Sequence, residues 1–135
     1  MIGLDTNVLV RYFAQDNARQ SSQASRLMES FTSQAPGFVS IVTLAETVWV
    51  LQDVYARSRD DVLDLVKALL QTDGLVVQMP DVVWQVVRGL ETSRADFADH
   101  LIERLGSACG CTSTLTFDKA AARDAGMRLV SPTAS

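Results

Sequence analysis

The stretch Ile2-Gly3-Leu4-Asp5-Thr6-Asn7-Val8-Leu9-Val10-Arg11 decides the fold class. Its first half, Ile2 to Asp5, is a short apolar run with the character of a buried strand. Its continuation from Val8 to Phe13 reads as the first turns of a helix. The same alternation runs through the rest of the chain. Asp16 to Phe31 is amphipathic, with Ala24, Leu27, Met28 and Phe31 at helical spacing. Pro36-Gly37 breaks the chain, and Phe38 to Ile41 reads as a second strand. Val42 to Tyr55 is strongly apolar and too long for a strand, which predicts a buried helix. Ser58 followed by Asp61 resembles a capping box, opening a helix that carries Val62, Leu65, Val66, Leu69 and Leu70. Gly74 ends that helix, and Leu75 to Met79 is a third strand. Pro80 suits a helix start, with Val83, Val86, Val87 and Leu90 as its apolar stripe. A helix over Phe97 to Ala108, a strand over Ser113 to Phe117, a short helix over Asp118 to Ala125 and a strand over Arg128 to Val130 complete the series. Strands alternating with helices favour a parallel sheet covered on both faces. Such sheets bind ligands at the carboxyl ends of their strands.

The chain has 135 residues, which fits one domain spanning 1–135. It is 47% hydrophobic and 21% charged, which argues against a disordered chain, a collagen-like repeat or a disulfide scaffold. Twelve basic and sixteen acidic residues give a net charge of −4, and Lys67 and Lys119 are the only lysines. This balance excludes a protein that holds nucleic acid by bulk positive charge. It leaves open one whose bound cations reverse the local sign. Cys109 and Cys111 stand too close for an unstrained disulfide and make a poor zinc site, so reduced thiols are expected. Met1-Ile2-Gly3-Leu4-Asp5 lacks the basic start of a signal peptide. No stretch approaches the ~20 apolar residues of a membrane span. A cytoplasmic protein without membrane contact is expected.

Five acidic residues break a local rule. Glu46 is the only charge in the run Ile41-Val42-Thr43-Leu44-Ala45-Glu46-Thr47-Val48-Trp49-Val50-Leu51. A buried carboxylate without a partner is costly, so Glu46 either finds a solvent gap or meets a cation. Asp5 and Asp118 each follow a strand and precede a helix, where they suit both a cap and a site. Asp96 and Asp99 stand three apart at a helix start, where Asp96 also suits the helix dipole. Carboxylates gathered in one cleft repel one another unless they hold protons or divalent cations. Oxygen ligands without His or Cys suit Mg²⁺ or Mn²⁺ rather than zinc.

Four pieces in this order carry a resemblance: Asp5-Thr6-Asn7-Val8-Leu9-Val10-Arg11, the helix-borne Glu46, Ala98-Asp99-His100-Leu101-Ile102, and Leu115-Thr116-Phe117-Asp118. Together, over about residues 1 to 131, they resemble the PIN domain, and within it the VapC-type toxins of bacterial toxin–antitoxin modules. The resemblance implies an α/β/α sandwich around a central parallel sheet of about five strands. It also implies a Mg²⁺- or Mn²⁺-dependent endoribonuclease. Its catalytic, metal-holding acids map to Asp5, Glu46, Asp99 and Asp118, and Asp96 matches an additional acid found in some members. Asn7 matches a supporting hydrogen-bonding position, and Thr6 and Thr116 match polar positions beside the acids. His100, the chain's single histidine, departs from the small residue usual after that Asp.

The mechanism so implied is metal-assisted hydrolysis of RNA (transfer, ribosomal or messenger), with no nucleophilic side chain. Arg11 is a candidate phosphate contact, with Arg94 and Arg123 behind it. The resemblance further implies a cognate antitoxin and a homodimer, or a heterotetramer or larger assembly with the antitoxin. Apolar residues between Asp16 and Leu70, including Trp49, Val50 and Tyr55, could serve such interfaces. The alternatives are a PIN nuclease for RNA processing outside such a module, or a degenerate binding module.

Overall fold

Side-chain caps set where most of the helices begin. In the computed structural model, which describes residues 1–131, Asn17 accepts the backbone N–H of Gln20 at 3.0 Å and opens α2 (Ala18–Ser30). Before it come β1 (Ile2–Gly3) and α1 (Thr6–Ala14), the latter capped by Asp5. After it come β2 (Gly37–Val39) and α3 (Ile41–Asp53), capped by Ser40. Ser58 caps α4 (Arg59–Gln71) by accepting from Asp61 N–H at 3.1 Å, as the capping-box reading expects. β3 (Leu75–Val77) and α5 (Pro80–Leu90) follow. The chain continues through α6 (Phe97–Ala108), β4 (Leu115–Thr116), α7 (Lys119–Asp124) and β5 (Arg128–Leu129). Each cap satisfies an N–H that the first helical turn leaves without a partner.

The α/β class and the parallel pairing are as expected, but the strands do not form one sheet of about five. Among the described residues they hydrogen-bond as a three-stranded sheet, β1-β2-β3, and a separate pair, β4-β5, all parallel. Strand length explains the division. Ile2 N–H donates to Pro36 O at 3.0 Å and Leu4 N–H to Phe38 O at 2.9 Å, both toward the β2 side. Alternate residues of a strand face opposite neighbours, so two-residue β1 has little left to offer a strand on its other side. β1 is accordingly an edge and not the buried strand that its apolar letters suggest; Ile2 is exposed.

Two compact units divide the chain, Met1–Pro80 and the residues from Asp81 onward. In the first, α1 packs against α2 and α3, α3 against α4, and α4 against β3. Leu9, Val39, Leu44, Leu51, Val62 and Val66 are almost fully buried there. Each contributes about 1.5–3 kcal/mol relative to exposure. In the second, α5 buries Val83, Val86 and Val87, α6 buries Phe97 and Leu101, and α7 packs on β4 and β5. α3 corrects a second expectation. It buries Leu44, Thr47, Val48 and Leu51, but Val42 and Trp49 are exposed. Its apolar letters run round the helix rather than along one stripe, and tertiary packing covers only one side.

Candidate active site

In the first unit, the carboxyl edge of the three-stranded sheet supplies Asp5 and Glu46. Asp5 follows β1, and its carboxylate accepts the N–H of Thr6 at 2.7 Å. α3 follows the neighbouring strand β2, so it starts from the same edge of the sheet. Thr43 Oγ1 donates to Leu4 O at 3.4 Å, which ties α3 to the end of β1 one turn before Glu46. Asp5, Thr6, Asn7 and Glu46 thereby line one open cavity of about 370 Å³, walled also by Val10, Arg11, Val50, Val54 and Tyr55. Glu46 is exposed at this cavity, where its carboxylate is open to solvent. Thr6 is buried, while Asn7 is exposed at the cavity wall.

Arg11 reaches the same cavity, but its guanidinium is tethered. Its Nε donates to Gln20 Oε1 at 2.8 Å, and its Nη1 donates to Tyr55 Oη at 3.1 Å and to Asp16 Oδ1 at 3.3 Å. Tyr55 Oη in turn donates to Asp16 Oδ2 at 2.7 Å. The Tyr55 hydroxyl, ahead of the Arg11 charge, holds the Asp16 carboxyl below its ordinary value. Tyr55 lines the cavity and Asp16 accepts from its hydroxyl; the motifs passed over both. They lie far apart in sequence, and only the placement of α3 beside α1 brings them together.

In the second unit, the charges of Asp96 and Asp118 bear on Asp99. Asp96 caps α6, its Oδ2 accepting Asp99 N–H at 3.2 Å. Asp99 is half-buried in the first turn. Partial burial, followed by the charges of Asp96 and Asp118, raises its carboxyl above the usual range. Asp118 is exposed and caps α7, with Oδ1 accepting from Ala120 N–H at 2.8 Å and Ala121 N–H at 3.4 Å. Thr116 Oγ1 accepts Asp118 N–H at 3.0 Å and so fixes the strand end that carries it. Asp5, Asp96 and Asp118 thus all act as helix caps, and the structural role leaves each with carboxylate oxygens for other work.

His100 packs its Nε2 against the bare Cα of Gly89 on α5, where an added Cβ would collide with it. It also lines an open cavity of about 650 Å³ with Glu103, Arg104, Arg123 and Asp124. Arg123 is paired with Asp124, Nε to Oδ1 at 3.0 Å and Nη2 to Oδ2 at 2.9 Å. Cys109 and Cys111 are free and exposed, as expected.

Among the described residues, no group of three or more His, Cys, Asp or Glu side chains stands at metal-holding spacing. The chemistry of the donors nevertheless fits a hard divalent cation. Asp5 and Glu46 offer carboxylate oxygens to one cavity, and the repulsion that Asp96 and Asp118 exert on Asp99 is of the kind that a cation relieves.

A family model described as PIN domain matches residues 2–126. The match takes in most of the chain and includes all five acids, so the chain belongs to the PIN domain family. No curated protein matches it. PIN domains are generally nucleases, and generally depend on divalent metal. Among the described residues, no helix is long and apolar enough to cross a membrane.

Proposed function

We propose that this PIN domain is a Mg²⁺- or Mn²⁺-dependent endoribonuclease, the toxin of a VapBC-type toxin–antitoxin pair. One observation carries the nuclease reading beyond family membership. The opening motif and the helix-borne acid, Asp5 and Glu46, line a single open cavity at the carboxyl edge of parallel strands. That is where sheets of this class bind ligands. Asp5 and Glu46 in one unit, and Asp99 and Asp118 with the additional Asp96 in the other, are the residues proposed to hold divalent cations for this activity. The two units are proposed to work as one PIN domain.

A bound divalent cation would supply a water of lowered pKa and offset charge on the phosphoryl oxygens. The chain's own residues set the conditions. The N–H groups of Thr6, Ala120 and Ala121 orient the carboxyl groups of Asp5 and Asp118. Thr116 fixes the backbone of Asp118, and Asn7 presents an amide at the cavity wall. Arg11, tethered by Gln20, Asp16 and Tyr55, faces the cavity as a held positive group suited to a phosphate.

The same reading places the protein in the cytoplasm as a homodimer that binds a cognate antitoxin, in a heterotetramer or larger assembly. Exposed Val42 and Val54 offer apolar surface to such partners. Induced expression in a bacterial host tests the toxin assignment. Growth arrest that Asp99→Asn abolishes is expected. Normal growth with the intact protein accumulated would contradict it.

A further inference from the structure

A second cavity of the first unit lies at the other edge of the three-stranded sheet. A helix that leads into a parallel strand ends at the amino edge, and α2 and α4 lead into β2 and β3. Their last turns, the end of α1 and the start of β3 surround an open cavity of about 370 Å³. Three half-buried rings line it, those of Tyr12, Phe13 and Phe31. Tyr12 and Phe13 are tilted at 59° with centroids 5.2 Å apart. Two bare backbones hold Phe31. A Cβ at Gly37 would come within 2.7 Å of its ring, and one at Gly74 within 2.5 Å of its carbonyl oxygen. Glu29 and Asp73 line the same cavity with exposed side chains, and none of its lining residues is basic.

We propose that this cavity binds a small organic cation, a free ammonium ion on a short alkyl stem. The proposal does not depend on the nuclease reading. The electrostatic features of the cavity share one sign. Ring faces are negative and attract a cation seated over them. The carboxyl ends of helices carry partial negative charge. Where α1 ends, the chain supplies its own cation, with Arg57 Nη2 donating to Phe13 O at 3.2 Å. α2 and α4 have no basic residue in their last turns. Glu29 and Asp73 add formal charge at the rim. The rings and the neighbouring Met28 and Leu69 form an apolar wall, which an alkyl stem covers and a hydrated metal ion does not. The volume is at the small end of ligand cavities, which suits a free ion rather than a segment of partner chain.

The test is an NMR titration of the ¹⁵N-labelled protein with n-butylammonium at constant ionic strength. Butanol and butyrate serve as neutral and anionic probes of similar shape. Butylammonium is expected to shift the amide signals of Phe31, Gly74 and Leu75 saturably, and to leave those of Thr6 and Asn7 in place. Butanol and butyrate should bind more weakly. The double variant Glu29→Gln/Asp73→Asn and the ring loss Phe31→Leu should each weaken binding by roughly 2- to 5-fold or more. Glu29 and Asp73 are exposed, so the double variant should fold even where Phe31→Leu does not. Butanol binding as tightly as butylammonium would overturn the proposal, leaving an apolar cavity only. So would shifts confined to Thr6 and Asn7, or a double variant that binds like the parent. A blocked tripeptide, Gly-Lys-Gly, that binds where the free amine does not would also overturn it, and would give the cavity to a partner's basic side chain.

Discussion

Asp96 Oδ2 accepts the backbone N–H of Asp99 at 3.2 Å, so the cap that starts α6 also holds a second carboxyl within one turn of itself. Partial burial raises the Asp99 carboxyl, and the charges of Asp96 and Asp118 raise it further. The folded state therefore binds the Asp99 proton more tightly than the unfolded chain does. Its stabilising contribution is complete below the ordinary value of 3.8 and is lost as pH rises through the raised value.

Asp99→Asn is consequently expected to raise the melting temperature at neutral pH in chelator. Discounted for partial exposure, the gain is about 1–4 °C. Added Mg²⁺ should then stabilise the unaltered protein more than the variant. Thermal melts in chelator and in Mg²⁺ across pH 3 to 8 check both effects. A variant less stable than the parent at neutral pH would contradict the repulsion.

The caps separate structure from chemistry at Asp118 and Asp5. Asn serves as an N-cap about as well as Asp, whereas Ala costs about 1 kcal/mol. Asp118→Asn and Asp5→Asn should leave the melting temperature nearly unchanged, and Asp118→Ala should lower it. All three should reduce metal-dependent cleavage by about 100-fold or more, since removing one group that stabilises developing charge typically has that effect. Cleavage retained in Asp118→Asn and lost in Asp118→Ala would reduce Asp118 to a cap.

Gly89→Ala has two opposed expectations. Helix propensity alone favours Ala within α5 by about 1 kcal/mol. The added Cβ, however, would collide with His100 Nε2, and overpacking costs about 1–3 kcal/mol. The collision should win, so Gly89→Ala destabilises. Adding His100→Ala removes the clash and should recover that loss. Chemical denaturation of the two single variants and the double variant measures the coupling. His100→Ala alone should keep most of the activity, because His100 packs its Nε2 against α5 in a structural contact.

Asp16 offers a directional test of the Arg11 tether. The Tyr55 hydroxyl is the largest influence holding its carboxyl low, ahead of Arg11. NMR titration should find the Asp16 carboxyl shifted up by Tyr55→Phe and also by Arg11→Gln. An Asp16 carboxyl that Tyr55→Phe leaves unmoved would contradict the hydroxyl's part in the tether.

Much of this architecture was legible in the residues. α6 begins and ends where its letters predict, because a cap at Asp96 precedes a clear apolar stripe. The opening motif, Glu46, Asp99 and Asp118 announced themselves as charges in apolar or strand-end settings. The division of the strands was not legible, because alternation counts strands and does not say which pair through two or three residues. The face of α3 was hidden for a related reason. A run apolar all round does not say which side packing leaves open, and Val42, Glu46 and Trp49 proved to be on the open one. The Arg11–Asp16–Tyr55 tether joins residues 44 and 39 positions apart, where no local pattern could signal it.

The central claim, a metal-dependent ribonuclease, meets its most direct test in the cleavage of a cellular RNA pool that includes transfer RNA. The purified protein, free of any partner, is incubated with Mg²⁺ or Mn²⁺, with chelator, and in parallel as Asp118→Asn and Glu46→Gln. Discrete products are predicted in metal from the unaltered protein alone. Products that persist in chelator, or that both variants generate at the parental rate, would contradict the account.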